Sequence, residues 1–306
     1  MKSTFLLLCA VSLLWYGCGM GDTKNAVKRA ESAAARQDWK TVRELTEKRH
    51  RDVPTDNDAT VLLALSLFYT ERDKPASIEQ AISYMRQVLT DEHQRYDLQF
   101  IYGWILLNTG HFQEARVPLQ NAYELHLKDP HVMGQDSQGF VKYALGRCCM
   151  MNSLFKEALT YYEQAAKSMG FNDWVTLYND MACCYAFIGD YASAMKCLLL
   201  ASQKEEYNKQ LSEAERKKHP ETPPYENPYA YLLAVNTAVV CDYLSFPQVN
   251  PGNAAAYKAV RQDWYVKAEG SVAMVVQSSV NAAQQQWLYN LLKQLSQRKA
   301  ALQASK

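Results

Sequence analysis

The chain has 306 residues, 48% of them hydrophobic and 11% aromatic, which suffices for one long repeat domain or two compact ones and excludes a generically disordered protein. Lys and Arg number 33 against 32 Asp and Glu, so no global charge field points to nucleic acid or acidic lipid. Only 12 Gly and 10 Pro interrupt long Ala-, Leu-, Gln-, Glu- and Lys-rich stretches, a balance that favours helices over strands.

At the start, Lys2 is a minimal basic n-region, and Phe5 to Tyr16 form an apolar run broken by Ser12. The run is shorter than the roughly 20 apolar residues a spanning helix needs, and it fits a cleaved signal peptide over residues 1–17. Gly17-Cys18, with Leu13-Leu14 upstream, resembles the bacterial lipobox, in which a small residue precedes a cysteine that is diacylated and becomes the mature N-terminus. Trp15-Tyr16 departs from that pattern, being bulky where the family places Leu and a small residue. The resemblance implies lipidation at Cys18, a tether over 18–23, and a lipid-anchored membrane protein of the bacterial cell envelope facing the periplasm or the cell surface. Ordinary signal cleavage and an uncleaved anchor are the alternatives.

Helix pairs follow. Ala26 to Arg36 and Trp39 to His50 read as a degenerate pair with Gln37-Asp38 at the turn. Thr60 to Tyr69 and Ser77 to Leu89 form another, its turn enlarged by Arg72-Asp73-Lys74-Pro75. Three segments then share one skeleton. The first is Gly103, Leu106, Gly110, Phe112, Ala115, Leu119 and Ala122. The second is Gly146, Cys149, Ser153, Phe155, Ala158, Tyr162 and Ala165. The third is Ala182, Tyr185, Gly189, Tyr191, Ala194, Leu198 and Ala201. In all three the offsets from the leading small residue are 3, 7, 9, 12, 16 and 19.

This skeleton resembles the tetratricopeptide repeat (TPR), in which a small residue lies where helix A meets helix B, a turn residue joins them and an aromatic opens helix B. Spacings of 43 residues (Gly103 to Gly146) and 36 (Gly146 to Ala182) exceed the family's 34. The first excess falls in the polar, Gly- and Pro-containing stretch Lys128 to Gly139. The resemblance implies an all-α fold: a right-handed α-solenoid of TPR-like helix pairs over 24–203, with additional C-terminal helices. Beyond it, Gln203 to Lys218 is highly charged and continues the preceding helix, and residues 204–228, with four prolines after His219, form a linker or strap. Tyr229 to Leu244, Ala254 to Glu269 and Val272 to Leu302 are expected helices of a 229–306 extension that lengthens or caps the solenoid.

Setting aside Cys9 and Cys18, six cysteines remain: Cys148, Cys149, Cys183, Cys184, Cys197 and Cys241. They sit inside apolar helical patterns, which favours buried small hydrophobes, with a disulfide between neighbouring repeats as the alternative. No Gly-rich phosphate loop, Gly-x-Ser-x-Gly or His-Glu-x-x-His is present, so no enzyme activity and no cofactor are expected. His126, Asp129, His131 and Asp136 form the densest polar cluster, read as solvated rather than metal-binding.

In the TPR family, helix A lines a concave groove. The family register assigns to that groove Phe100, Trp104, Leu107 and Asn108, then Tyr143, Arg147, Met150 and Met151, then Asn179, Cys183, Ala186 and Phe187. Aromatic, Met and Arg side chains are enriched at interface cores. The expectation is therefore a scaffold or adaptor for a protein or peptide partner in the cell envelope, with no nucleic-acid partner. The alternatives are a groove filled by the chain's own C-terminal helices, and a glycan-binding lipoprotein of the starch-utilisation type on a TPR frame.

Overall fold

The computed structural model describes residues 22–128, 138–168, 174–222, 225, 227, 230–278 and 282–304. Among these the secondary structure is all helical, in thirteen helices. They are α1 (Asp22–Ala35), α2 (Trp39–Asp52), α3 (Asn57–Thr70), α4 (Pro75–Asp91), α5 (Tyr96–Asn108), α6 (Phe112–Lys128), α7 (Gln138–Met151), α8 (Phe155–Ala166), α9 (Trp174–Phe187), α10 (Tyr191–Lys218), α11 (Ala230–Leu244), α12 (Ala254–Ser278) and α13 (Ala282–Ala304). The signal segment, the tether and Cys18 lie outside the described residues, as do Asp129, His131 and Asp136.

The chain divides into two compact units, Ser3–Phe171 and Asn172–Lys306. The division falls inside the expected 24–203 repeat span, so the third skeleton repeat belongs with the C-terminal helices. In the first unit each odd-numbered helix packs against the even-numbered one that follows, and each pair stacks on the next. The odd helices α3 and α5 are apolar on every side and buried from Ala59 to Phe68 and over most of Tyr96 to Leu107, as expected of a helix without a solvent face. The even helices bury one stripe only, as α4 does through Ile78, Ala81, Ile82, Met85 and Val88.

The shared skeleton has a physical basis at each offset. Gly110, Ser153 and Gly189, all at offset 7, have φ of 90°, 62° and 84°. That left-handed residue lets the chain reverse, and the N–H of the next residue then bonds back across the turn: His111 to Leu106 O, Leu154 to Cys149 O and Asp190 to Tyr185 O, each at 2.9 Å. A Cβ on Gly103 would lie 2.6 Å from Leu119 Cγ, and one on Gly146 only 2.5 Å from the Tyr162 ring, so offset 0 is where helix A touches offset 16 of helix B. The pair α1–α2 follows the same rule: Gln37 has φ 61° and Asp38 N bonds Ala33 O at 3.0 Å. Its Ala30, Ala33, Gln37, Trp39, Val42 and Thr46 take the first six offsets, but Val42 replaces the alanine of offset 12 and Arg49 that of offset 19, so the pair keeps the turn and is degenerate beyond it. Asp38 and Asp190 cap α2 and α10 through Thr41 N and Ser193 N. Pro75 opens α4 at a position where no N–H is needed.

In the second unit α9 pairs with α10, α11 packs on both, and α12 and α13 follow in order. The expected extension of the helix beyond Gln203 is present, and α10 runs 28 residues. Part of the Pro-rich segment lies along it: Tyr225 Oη and Asn227 Nδ2 each donate to buried Glu205 at 2.8 Å. The expected break at Gly270 is absent. Tyr265, Ala268, Val272 and Val276 form one buried stripe through α12, and packing along it outweighs the cost of a mid-helix glycine, about 1 kcal/mol. Asp242 of α11 ties the three last helices together, accepting from Arg261 at 3.4 Å, Tyr265 Oη at 3.4 Å and Arg298 at 2.5 Å.

Candidate functional site

Register places three rows of side chains across α5 and α7, at offsets −3, 1 and 5 from Gly103 and Gly146. The first row is Phe100 and Tyr143, which are 4% and 2% exposed. Leu107, one position short of the last row, is 4% exposed. These three assigned groove residues are therefore packing groups and not accessible surface. Phe100 stacks with Tyr96 and Trp104, and Tyr143 packs on Tyr162 of helix α8 at 5.8 Å. The register fixed their direction, but the apolar character of both helices left no open floor.

The second row is Trp104 and Arg147, both half-buried, with the Arg147 guanidinium 5.9 Å from the Tyr143 ring. Trp104 also bonds the Tyr69 hydroxyl, whose pKa burial raises. The third row, at the C-terminal ends of the helices, is the accessible one. Asn108 is half-buried, and its carbonyl accepts from Arg72 at 3.2 Å. Met151 is 42% exposed, and Met150 beside it is half-buried. Arg72 in turn lies 4.9 Å over the Phe68 ring. The accessible feature is thus a rim of Arg72, Trp104, Asn108, Arg147, Met150 and Met151. Arg72 was not among the sequence candidates because it sits in the enlarged α3–α4 turn, outside the skeleton.

Asn179 and Phe187 lie on α9 in the second unit. Asn179 Oδ1 accepts from Asn236 Nδ2 of α11 at 2.9 Å, and Cys183 Sγ meets the same amide at 3.3 Å. Helix α11 stands here where the next helix A of a solenoid would stand, so Asn179 bonds a neighbouring helix and is not open groove surface. Ala186 is half-buried, while Phe187 is 71% exposed at the end of α9; Tyr191 at the start of α10 stacks on Tyr243 at 4.6 Å.

All six cysteines are free thiols, which removes the disulfide alternative. Burial pushes Cys149 and Cys183 up to about 12, so they stay protonated and unreactive at neutral pH. His126 is buried against Tyr96 at 6.1 Å instead of solvated. Among the described residues no group of three His, Cys, Asp or Glu side chains has the arrangement of a metal site. No described helix is long and apolar enough to cross a membrane.

The fold is an all-α array of TPR-like helix pairs with additional C-terminal helices. Among solved structures it is similar to PilF of Pseudomonas aeruginosa, with a TM-score of 0.51 at 18% identity over 79% of this chain and 91% of that one. It is also similar to MamA of Desulfovibrio magneticus, at 0.50 and 13% over 62% of this chain and 98% of that one. No family model matches the chain, and no curated protein matches its sequence.

Proposed function

We propose that this chain is a scaffold or adaptor lipoprotein, held in the bacterial cell envelope by acyl chains on Cys18 and binding a protein or peptide partner along the rim of α5 and α7. One observation carries the binding half. Trp104 on α5 and Arg147, Met150 and Met151 on α7 are partly or fully exposed toward the C-terminal ends of two helices in contact, with Arg72 bonded to Asn108 O at the end of α5, while the deeper rows are closed by packing. Those residue types concentrate binding energy at interfaces, and rigid packed helices beneath them hold the rim in shape. No residues of an acid–base or nucleophilic constellation gather there, so binding is the activity this geometry serves.

Two acyl chains would anchor the protein stably where one would not. Cys18→Ser should therefore move the chain from the membrane to the soluble fraction; equal sedimentation of variant and wild type refutes the anchor. For the rim, a photo-crosslinker at Met151 should capture a discrete partner in membranes. Trp104→Ala with Arg147→Ala should abolish that adduct at unchanged helicity. A glycan array that binds the chain, with no protein adduct, would replace the scaffold reading by glycan binding.

A further inference from the structure

The described outer face of α1 is basic. Its described exposed residues are Asn25, Lys28, Arg29, Ser32 and Ala35, followed by Arg36 in the turn. Spaced at i, i+3, i+4, i+7 and beyond, they fall on one side of the helix, opposite the buried Ala30, Ala33 and Ala34 that pack the pair. Among those described residues three are cations and none is an acid, and exposed Asp38 follows two positions after Arg36. Five other arginines of the unit hold carboxylates: Arg43 with Glu47 and Glu71, Arg49 with Asp56, Arg86 with Glu114, Arg95 with Asp97, and Arg116 with Glu157. Lys28, Arg29 and Arg36 form no ion pair among the described residues. Glu31, one turn on from Lys28, is half-buried; burial and then Asp58 push its pKa up, while Lys28 draws it down.

Chain length supplies the second argument. From Cys18 to Asp22 there are four residues, which span at most about 14 Å fully extended. A lipid on Cys18 would therefore keep the start of α1 within one or two Debye lengths of the headgroups, about 10 Å each at 0.1 M salt. We infer that the Lys28–Arg29–Arg36 face of α1 docks on anionic phospholipid headgroups and so sets how the first helix pairs stand on the membrane. This rests on the anchoring reading above. Each cation near such a surface strengthens attachment by about fivefold, so three of them orient a protein that its acyl chains already hold nearby.

The test uses the full chain, purified in detergent from its bacterial host and reconstituted into vesicles of phosphatidylcholine alone or with 30% phosphatidylglycerol. A water-soluble amine acylating reagent reports Lys28, with Lys156 on α8 as the internal control, both read by mass spectrometry. Lys28 should be modified at least about fivefold more slowly on the anionic vesicles, and the protection should vanish at 0.5 M salt. Arg29→Glu with Arg36→Glu should abolish it while Lys156 stays unchanged. Equal Lys28 rates on both vesicles, with acyl chains present on the Cys18 peptide of the same spectrum, overturn the docking and leave the anchor intact. A Cys18 peptide without acyl chains overturns the anchor instead. Docking must then appear as salt-sensitive flotation of the chain with anionic over neutral vesicles, and its absence overturns docking too.

Discussion

The same substitution should have opposite effects at two glycines. Gly146→Ala places a methyl carbon 2.5 Å from Cδ1 and Cε1 of Tyr162, well inside contact distance. Tyr162 is completely buried and its ring packs on Tyr143 at 5.8 Å, so it can yield only by opening the α7–α8 contact. Overpacking of this kind costs about 1–3 kcal/mol, and replacing a helical glycine by alanine returns about 1 kcal/mol. A contact this short belongs to the upper part of that range, about 2–3 kcal/mol, so the expected balance is a destabilisation of about 1–2 kcal/mol. Gly270 lies inside α12, where an added Cβ meets nothing within 4 Å, so only the propensity gain of about 0.5–1 kcal/mol remains and Gly270→Ala should stabilise. The two sites lie in different compact units, so each is best followed locally, by native-state hydrogen exchange of α7–α8 and of α11–α12. Protection should fall in the first and rise in the second. If Gly146→Ala leaves α7–α8 exchange unchanged or slower, offset 0 is not the point of closest approach and the repeat register is wrong.

Ala158, fully buried at offset 12, should tolerate leucine no better: Ala158→Leu should destabilise by about 1–3 kcal/mol, and an unchanged melting temperature refutes its placement. Tyr143→Ala should lower stability by about 3–5 kcal/mol through the cavity it leaves, whereas half-exposed Arg147→Ala should melt close to wild type; similar melting of the two would contradict the burial pattern. Glu71, bonded by Lys74, Ser77 and Arg43, is lowered to about 2 from 4.5, so its share of stability is present above about pH 4.5 and lost as pH falls towards 2. Glu71→Gln should flatten the acid-side decline in melting temperature relative to wild type, and parallel curves would show that these bonds do not stabilise the fold.

What was legible in the sequence is what the turn and the closest approach dictate. Gly110, Ser153 and Gly189 must adopt positive φ, and Gly103, Gly146 and Ala182 must be small, so spacing alone exposed three repeats. The α1–α2 pair keeps the turn offset, with Gln37 at φ 61°, but carries Arg49 at offset 19, which is why it reads as degenerate. Gly270 misled in the opposite direction, because propensity marks it as a break while a buried stripe on both sides carries the helix through. The Asp242 cluster could not be read at all. Its arginines lie 19 and 56 residues away, on two other helices, and charge patterning along one helix says nothing of such partners.

The site was legible in direction but not in depth. Offsets −3, 1 and 5 share one side of helix A, so the register sets Phe100 and Trp104 on one side of α5 and Tyr143, Arg147 and Met151 on one side of α7. Whether a side chain on that side is floor or surface depends on how completely the helices close over it. Here α3 and α5 are apolar all round and buried through most of their length, so the row nearest their middles is sealed. Water reaches the two rows nearer the end where helix A runs out into the turn, and there the polar ends of Arg72, Asn108 and Arg147 can be hydrated while Trp104 and Met150 remain packed on one side. A partner that uses this rim must approach from the turn edge of the repeats, across the helix ends. That geometry is why substitutions at Met151 or Trp104 should alter capture when substitutions at Phe100 or Tyr143 alter folding.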